Sequence, residues 1–144
     1  MGYRLRFDQE KCTGCYACHA ACLDAHHADE EEQALSFRAI RTVVREEEHF
    51  QKNVCPGCLH CGACMRVCPE GAIYRDSDSG FILVNSEKCT GCRTCETACP
   101  VGVIRFHSEG RMEKCDGCRE RLREGRIPAC VHTCCADAIT LERI

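Results

Sequence analysis

The amino-acid sequence predicts an α+β protein in which short strands and short helices surround cysteine-rich loops. Three observations support this class. Cysteine supplies 18 of the 144 residues and falls into four separate runs. Strand-like segments of only a few residues lie between the runs, separated by turn residues and by short segments that suit a helix. Trp is absent, and the apolar residues are too few to order the backbone without another source of free energy.

The third run, from Cys89 to Pro100, has the most informative spacing. It reads Cys-x2-Cys-x2-Cys-x3-Cys-Pro, the pattern that holds iron–sulfur clusters in bacterial ferredoxins. Three closely spaced thiolates wrap three corners of one [4Fe–4S] cluster, and the fourth Cys ligates its neighbour. The run therefore predicts one half of a pair of clusters.

The first run repeats this pattern. Lys-Cys-Thr-Gly-Cys begins at Lys11 and again at Lys88, and all four Cys of the first run keep the spacing of the third. The two segments are therefore an internal repeat, and the first run also predicts half of a cluster pair.

The second run contains five Cys and offers two registers. Only Cys58, Cys61, Cys64 and Cys68 give the ferredoxin spacing followed by Pro. We assign these four and interpret Cys55 as a spare thiol, with an alternative ligand as the second possibility.

The fourth run has a long spacer. Cys115 and Cys118 are followed by eleven residues before Cys130, and Cys134 then lies at the usual distance. Cys135 stands where Pro follows the last Cys of the second and third runs, which leaves Cys134 or Cys135 open as the ligand.

The segments between the runs predict the secondary structure. Residues 3–7 alternate in polarity and favour a strand, Cys18 to His27 favours a helix, and the acidic segment Asp29–Glu32 is expected to be a solvated loop. The other predicted elements are strands at Phe37–Val44, Gly71–Tyr74, Phe81–Val84, Val103–Phe106 and Ile139–Leu141, and a charged helix from Arg119 that ends at Gly125.

The order of the runs predicts two interleaved dicluster ferredoxin-like units. Runs two and three form an inner unit at residues 55–107, because a predicted hairpin joins them at the spacing such a unit needs. Runs one and four form an outer unit from residues 1–54 and 108–144, so that the inner unit is an insertion.

Four runs in this order, with the long spacer only in the fourth, resemble the four-cluster electron-transfer subunits of molybdopterin oxidoreductases. That family includes the small subunits of dimethyl-sulfoxide reductase, formate dehydrogenase and polysulfide reductase, and hydrogenase-linked ferredoxins are related. The resemblance extends from Arg4 to Leu141. The sequence departs from the family pattern at Cys135, where Pro is usual, and in the second run, where the spacing between the second and third Cys is shorter than in many members.

The resemblance implies four [4Fe–4S] clusters, each with one ligand exchanged between paired runs. The implied ligand sets are Cys12, Cys15 and Cys18 with Cys134; Cys115, Cys118 and Cys130 with Cys22; Cys58, Cys61 and Cys64 with Cys99; and Cys89, Cys92 and Cys95 with Cys68. His19, His60, His107 and His132 lie near the runs but are expected beside the clusters or at the surface, since each cluster already has four thiolates.

The chain is expected to transfer electrons and not to catalyse a reaction. Its thiolates are committed to iron, and it contains no catalytic triad, P-loop or dinucleotide fingerprint. We predict a subunit that relays single electrons between a large catalytic subunit and a second redox protein. The catalytic subunit would be of the molybdopterin or tungstopterin type, with hydrogenase as the alternative. A free polyferredoxin carrier is the second hypothesis, and a structural metal-binding adaptor is the third. Zinc knuckles and disulfides fit the uninterrupted cysteine runs less well.

Charge and hydropathy limit the partners. The formal net charge is −3, and the sequence contains no basic stripe of the kind that binds nucleic acid. No apolar run approaches the ~20 residues of a membrane span. The first residues lack the apolar region of a signal peptide and a twin-Arg pair. A reducing, cytoplasmic location is therefore expected.

Overall fold

The computed structural model describes residues 2–27, 36–38, 40–54, 57–107 and 109–144. Cys55 and the acidic segment at 29–32 lie outside these ranges, so the predictions made for them stay untested. The helices are α1 (Ala17–His27), α2 (Ala63–Val67), α3 (Thr94–Ala98), α4 (Arg119–Arg123) and α5 (Ala129–Thr133). The strands are β1 (Tyr3–Phe7), β2 (Arg41–Arg45), β3 (Phe50–Val54), β4 (Ile73–Arg75), β5 (Ile82–Val84), β6 (Arg105–Phe106), β7 (Met112–Glu113) and β8 (Ile139–Arg143).

The first and last strands pair with each other. β1 and β8 are antiparallel, with Leu5 opposite Leu141 and Phe7 opposite Ile139. Leu5 and Ile139 are buried, as the alternation of apolar residues in both segments predicts. Helix α1 packs against α5 beside this pair. The segments that carry runs one and four are therefore adjacent in space.

The predicted inner hairpin is present. β4 and β5 are antiparallel, with Ile73 opposite Val84. Asp76 closes the turn, because its carboxylate accepts hydrogen bonds from the Ser79 backbone N–H at 3.0 Å and from the Ser79 hydroxyl at 2.6 Å. These bonds hold the pKa of Asp76 below its usual range. The hairpin supplies Ile73 and Ile82 to a core that also receives residues from α2 and α3.

Two further hairpins differ from the sequence-based expectation. The strand predicted at Phe37–Val44 begins only at Arg41, and it pairs with β3, which was not predicted. The strand predicted at Val103–Phe106 is reduced to β6, which pairs with β7. Val103 and Ile104 are buried but extend no ladder. The β6–β7 hairpin straddles the boundary expected between residues 107 and 108, and the division into an inner and an outer unit stays a prediction.

The described residues form three small core clusters, and cysteine side chains belong to each of them or pack against it. The largest fully buried side chains in the described part of the protein are Phe81, Ile82, Met112 and Pro128. None of the described helices is long and apolar enough to cross a membrane. A protein with so few large buried side chains needs another source of folding free energy. The cysteine loops lie beside the small apolar clusters, where a bound group would supply it.

Candidate metal centres

The same local structure recurs at the third Cys of every run. Each of these residues is the second residue of a helix, and each is buried: Cys18 in α1, Cys64 in α2, Cys95 in α3 and Cys130 in α5. The second Cys is exposed in the first three runs and buried in the fourth; these residues are Cys15, Cys61, Cys92 and Cys118. The helix starts therefore fix the third thiol of each run toward the interior.

The backbone before the second Cys is left-handed in all four runs. The residues concerned are Gly14, His60, Gly91 and Gly117, with φ between 50° and 77°. In two runs the backbone N–H of this residue donates to the sulfur of the first Cys, from His60 to Cys58 at 3.4 Å and from Gly117 to Cys115 at 3.3 Å. Left-handed turns of this kind aim backbone N–H groups into a concavity that favours anions, including iron–sulfur centres.

Gly117 meets a steric requirement as well as a conformational one. A Cβ atom at this position would lie 2.2 Å from Cε2 of Phe81, a fully buried ring. At Gly91 the same atom would lie 2.6 Å from the carbonyl oxygen of Gly110. Glycine is therefore needed at both positions for close packing of the loop.

One cavity is lined by four cysteines from two different runs, namely Cys58, Cys61, Cys64 and Cys99. We call it the run-two cavity. Its other walls include Ile82, Val103 and Ile104, and two polar side chains, His60 and Lys114, also border it.

A second cavity is lined by Cys68, Cys89, Cys92 and Cys95, and we call it the run-three cavity. The backbone N–H of Met112 donates to the Cys89 sulfur at 3.3 Å. Helices α2 and α3, which carry cysteines of the two cavities, pack against each other. Each cavity thus combines three thiols of one run with one thiol of the other.

The fourth Cys follows its helix directly in three of the runs. Cys68, Cys99 and Cys134 have φ between −74° and −71° and ψ between 101° and 117°. Three residues later the backbone is left-handed in each case, at Gly71, Gly102 and Asp137. In run one, by contrast, Cys22 lies inside α1, because this helix continues to His27.

The cysteines of runs one and four are brought together by α1 and α5. Cys18 and Cys130 share a buried cluster with Ile40 and Ile139, and Cys134 packs against it. Burial raises the pKa of the Cys130 thiol to about 12, and the nearby thiols of Cys118 and Cys22 contribute to the increase.

Burial also raises the pKa of other thiols. It raises that of Cys95 to about 11 and that of Cys115 well above its ordinary value. Thiols in such surroundings are protonated at neutral pH when no metal is bound, and metal binding must release their protons.

His60 borders the run-two cavity and is buried more deeply than the sequence indicated. Its Nδ1 accepts a hydrogen bond from the Ile82 backbone N–H at 3.0 Å. Burial, together with the charge of Lys114, lowers the pKa of His60 to about 3, so the ring is neutral. Within the described part of the protein, the buried Nε2 of His60 has no hydrogen-bond partner. A neutral imidazole with its proton on Nε2 offers a donor beside the run-two cavity.

His26 was not singled out from the sequence. Its Nε2 lies 3.5 Å from the sulfur of Cys118 and 3.7 Å from a carboxylate oxygen of Asp116. The three residues are close enough to hold a metal ion, but Cys118 is already a predicted cluster ligand. We therefore interpret His26 as a neighbour of that thiol. No sequence motif around His26 indicates this contact, because His26 and Cys118 are far apart in the sequence and meet only in the folded protein.

The donor set suits iron–sulfur clusters. Four thiols around one cavity, backbone N–H groups directed at sulfur atoms and a buried donor without a partner are the features that an anionic sulfur-rich group requires.

Comparison with known proteins agrees with this chemistry. Residues 47–144 match a family described as the 4Fe-4S dicluster domain, and residues 11–72 match a second family of the same description. The protein is 38% identical over 146 residues to the B subunit of anaerobic dimethyl sulfoxide reductase from Haemophilus influenzae, across 92% of its own length and 69% of that relative. The probable anaerobic dimethyl sulfoxide reductase subunit YnfG of Escherichia coli K12 is 38% identical over 145 residues, with the same shares of 92% and 69%. Protein NrfC of Escherichia coli K12 is 36% identical over 153 residues, across 99% of this sequence and 66% of NrfC.

The fold and the cysteine loops define a small α+β iron–sulfur protein with two dicluster ferredoxin-like domains. The chain belongs to the family of iron–sulfur electron-transfer subunits that includes the B subunit of anaerobic dimethyl sulfoxide reductase, and it is not itself catalytic. The fold class, the [4Fe–4S] cluster type and the role in electron transfer that the sequence predicted are therefore confirmed.

Proposed function

We propose that the protein relays single electrons through four [4Fe–4S] clusters, between a catalytic molybdopterin or tungstopterin subunit and a second redox protein. The observation that carries this proposal is the pair formed by the run-two cavity and the run-three cavity, each lined by three cysteines of one run and one of the other. A bound cluster supplies one-electron chemistry. The protein holds, orients and shields it.

The inner ligand assignment rests on these cavities. We assign Cys58, Cys61, Cys64 and Cys99 to one cluster and Cys89, Cys92, Cys95 and Cys68 to the other. The apolar walls of both cavities limit the access of water. The N–H groups of His60 and Met112 donate to ligand sulfurs, and such bonds stabilise a thiolate and raise the potential of the cluster it holds.

The outer ligand assignment rests on proximity and on repeated geometry. We assign Cys12, Cys15, Cys18 and Cys134 to one cluster and Cys115, Cys118, Cys130 and Cys22 to the other. The thiols of Cys22, Cys118 and Cys130 are close enough to influence one another's protonation. Cys134 shares its backbone conformation with Cys68 and Cys99, and it packs against the buried cluster that contains Cys18. We therefore favour Cys134 over Cys135.

The proposed partner follows from the relatives. The protein is similar over most of its length to polypeptides named as the B subunit of dimethyl sulfoxide reductase, which implies a separate catalytic subunit. A hydrogenase partner and a free polyferredoxin carrier are the alternatives. We propose a reducing, cytoplasmic compartment as the location of the protein, because cysteines that bind iron must not be held in disulfides.

Purification from the native host tests the proposal. Affinity capture of this protein under anaerobic conditions should retain a large subunit in near-equal amount, with molybdenum or tungsten in the metal analysis. Nickel in place of these metals would indicate the hydrogenase alternative. A protein that elutes alone and exchanges electrons with several unrelated oxidoreductases would establish the carrier instead.

A further inference from the structure

A lysine side chain is buried between two of the proposed cluster sites. Lys114 directly precedes the first Cys of run four, and this residue is only 5% exposed. It borders the run-two cavity. Lysine is rarely buried to this extent unless its charge is compensated, so its position calls for an explanation.

Backbone oxygens and one imidazole hold the ammonium group. Lys114 Nζ donates to the carbonyl oxygens of Ile82 and Cys115, the latter at 2.6 Å. It also lies 3.5 Å from Nδ1 of His60. These acceptors are neutral, so the positive charge remains available to any negative charge that is placed nearby.

The ammonium group of Lys114 lies against cysteines of two different sites. Lys114 lines the run-two cavity together with Cys58, Cys61, Cys64 and Cys99. Its Nζ also donates to the carbonyl oxygen of Cys115, which is assigned to the run-four site with Cys118, Cys130 and Cys22. The two sites are therefore neighbours that share this side chain.

We propose that Lys114 is an internal cation shared by the run-two site and the run-four site, which stabilises an added electron at either one. This inference rests on the proposed function. An electron that arrives from a redox partner makes either site more negative, and a nearby ammonium group lowers the free energy of that state. The effect is large because a buried charge is poorly screened by water or salt. Lys114 therefore holds both reduction potentials above the values they would have without it.

The internal repeat supplies a matched comparison. Lys11 and Lys88 occupy the same position before the first Cys of runs one and three, but both are exposed. Their charges are screened by solvent and should affect the nearby clusters only weakly. Lys114 differs from them in its surroundings and not in its local sequence.

Redox titration with electron paramagnetic resonance tests this role. The variants are Lys114→Met, which removes the charge and the donors; Lys114→Gln, which keeps a donor; Lys114→Arg, which keeps the charge; and Lys88→Met as the control. Iron analysis accompanies each titration. We expect two of the four midpoint potentials to become more negative in both uncharged variants. The same two should return toward the wild-type values in Lys114→Arg, and all four should be unchanged in Lys88→Met.

Each other outcome also decides the question. In fully loaded uncharged variants, a shift of none, of only one or of all four potentials contradicts the shared role. Lower iron content in Lys114→Met and Lys114→Gln is the second case. The shared role is then supported if both variants lose the same two resonance signals and Lys114→Arg recovers them. Any other pattern of signal loss contradicts the shared role. Fewer than four clusters in the wild-type protein contradicts the proposed function instead, so the two failures are distinguishable.

Discussion

Cys134 ends α5 with nearly the same backbone conformation with which Cys68 ends α2. The φ and ψ angles are −74° and 101° at Cys134, and −72° and 113° at Cys68. Three residues further on, Asp137 takes the left-handed conformation that Gly71 takes in the second run. The last turn of run four thus keeps the geometry of the ferredoxin motif even though Cys135 replaces the usual Pro and Asp137 replaces Gly.

This relationship predicts different effects for two neighbouring substitutions. Cys134→Ser should remove one cluster, a loss of about four irons per polypeptide, because it deletes a ligand. Cys135→Ser should leave the iron content and the resonance spectrum unchanged, because Cys134 and not Cys135 has the backbone conformation of the fourth Cys of the second run. Iron analysis of the two variants after anaerobic purification measures the difference. The reverse result would make Cys135 the ligand.

The cavities predict that ligands cross between runs two and three. Cys99 belongs to run three but lines the run-two cavity. Cys99→Ser should therefore alter the same resonance signal as Cys58→Ser. Cys95→Ser is the matched control, since Cys95 lies in α3, which Cys99 directly follows, but lines the run-three cavity. If Cys99→Ser instead reproduces the effect of Cys95→Ser, each run binds its own cluster and the crossed assignment is wrong.

Alanine substitutions at two glycines with similar backbone angles should differ in cost, because only one of the glycines is closely packed. Gly117 and Gly125 have φ of 69° and 77°, but an added Cβ would meet Phe81 at Gly117 and open space at Gly125. Alanine at Gly125 should cost about 1–2 kcal/mol, the penalty of a left-handed residue. Alanine at Gly117 should cost roughly 1–3 kcal/mol more, because the core is overpacked.

Guanidinium titration of cluster absorbance and circular dichroism measures both variants. The transition of Gly117→Ala should lie at clearly lower denaturant concentration than that of Gly125→Ala. Equal midpoints would show that the Phe81 ring moves aside without cost.

The sequence predicted the elements with a clear pattern and missed those that are short. Alternation identified β1, and turn residues identified the hairpin around Asp76–Gly80. Helices α2, α3 and α5 were not predicted, because five residues are too few to show a helical period; α4 is equally short but was indicated by its charged residues and by Gly125. Strand β3 was missed because Phe50–Val54 contains three consecutive polar residues and none of its residues is buried.

The candidate site shows the same limit. Cysteine spacing alone indicated the runs, since the motif is a feature of local sequence. The environment of Lys114 could not be predicted, because Lys11 and Lys88 precede the same motif and are exposed. Burial depends on tertiary contacts, here with Ile82 and His60, that spacing does not encode. The contact between His26 and Cys118 was missed for the same reason.

Removal of the clusters should unfold the protein. The described core contains few large buried side chains, and cysteine side chains belong to its apolar clusters or pack against them. Loss of the iron–sulfur clusters would therefore remove packing partners from the core, and the whole stability of a small domain is only roughly 5–15 kcal/mol. Metal binding is therefore expected to supply much of the folding free energy. Anaerobic chelation of iron should abolish strand circular dichroism in a single cooperative step, and reconstitution with iron and sulfide should restore it. An apo-protein that keeps its circular dichroism and resists proteolysis would show that the apolar clusters around Ile82 and Ile139 are sufficient for folding.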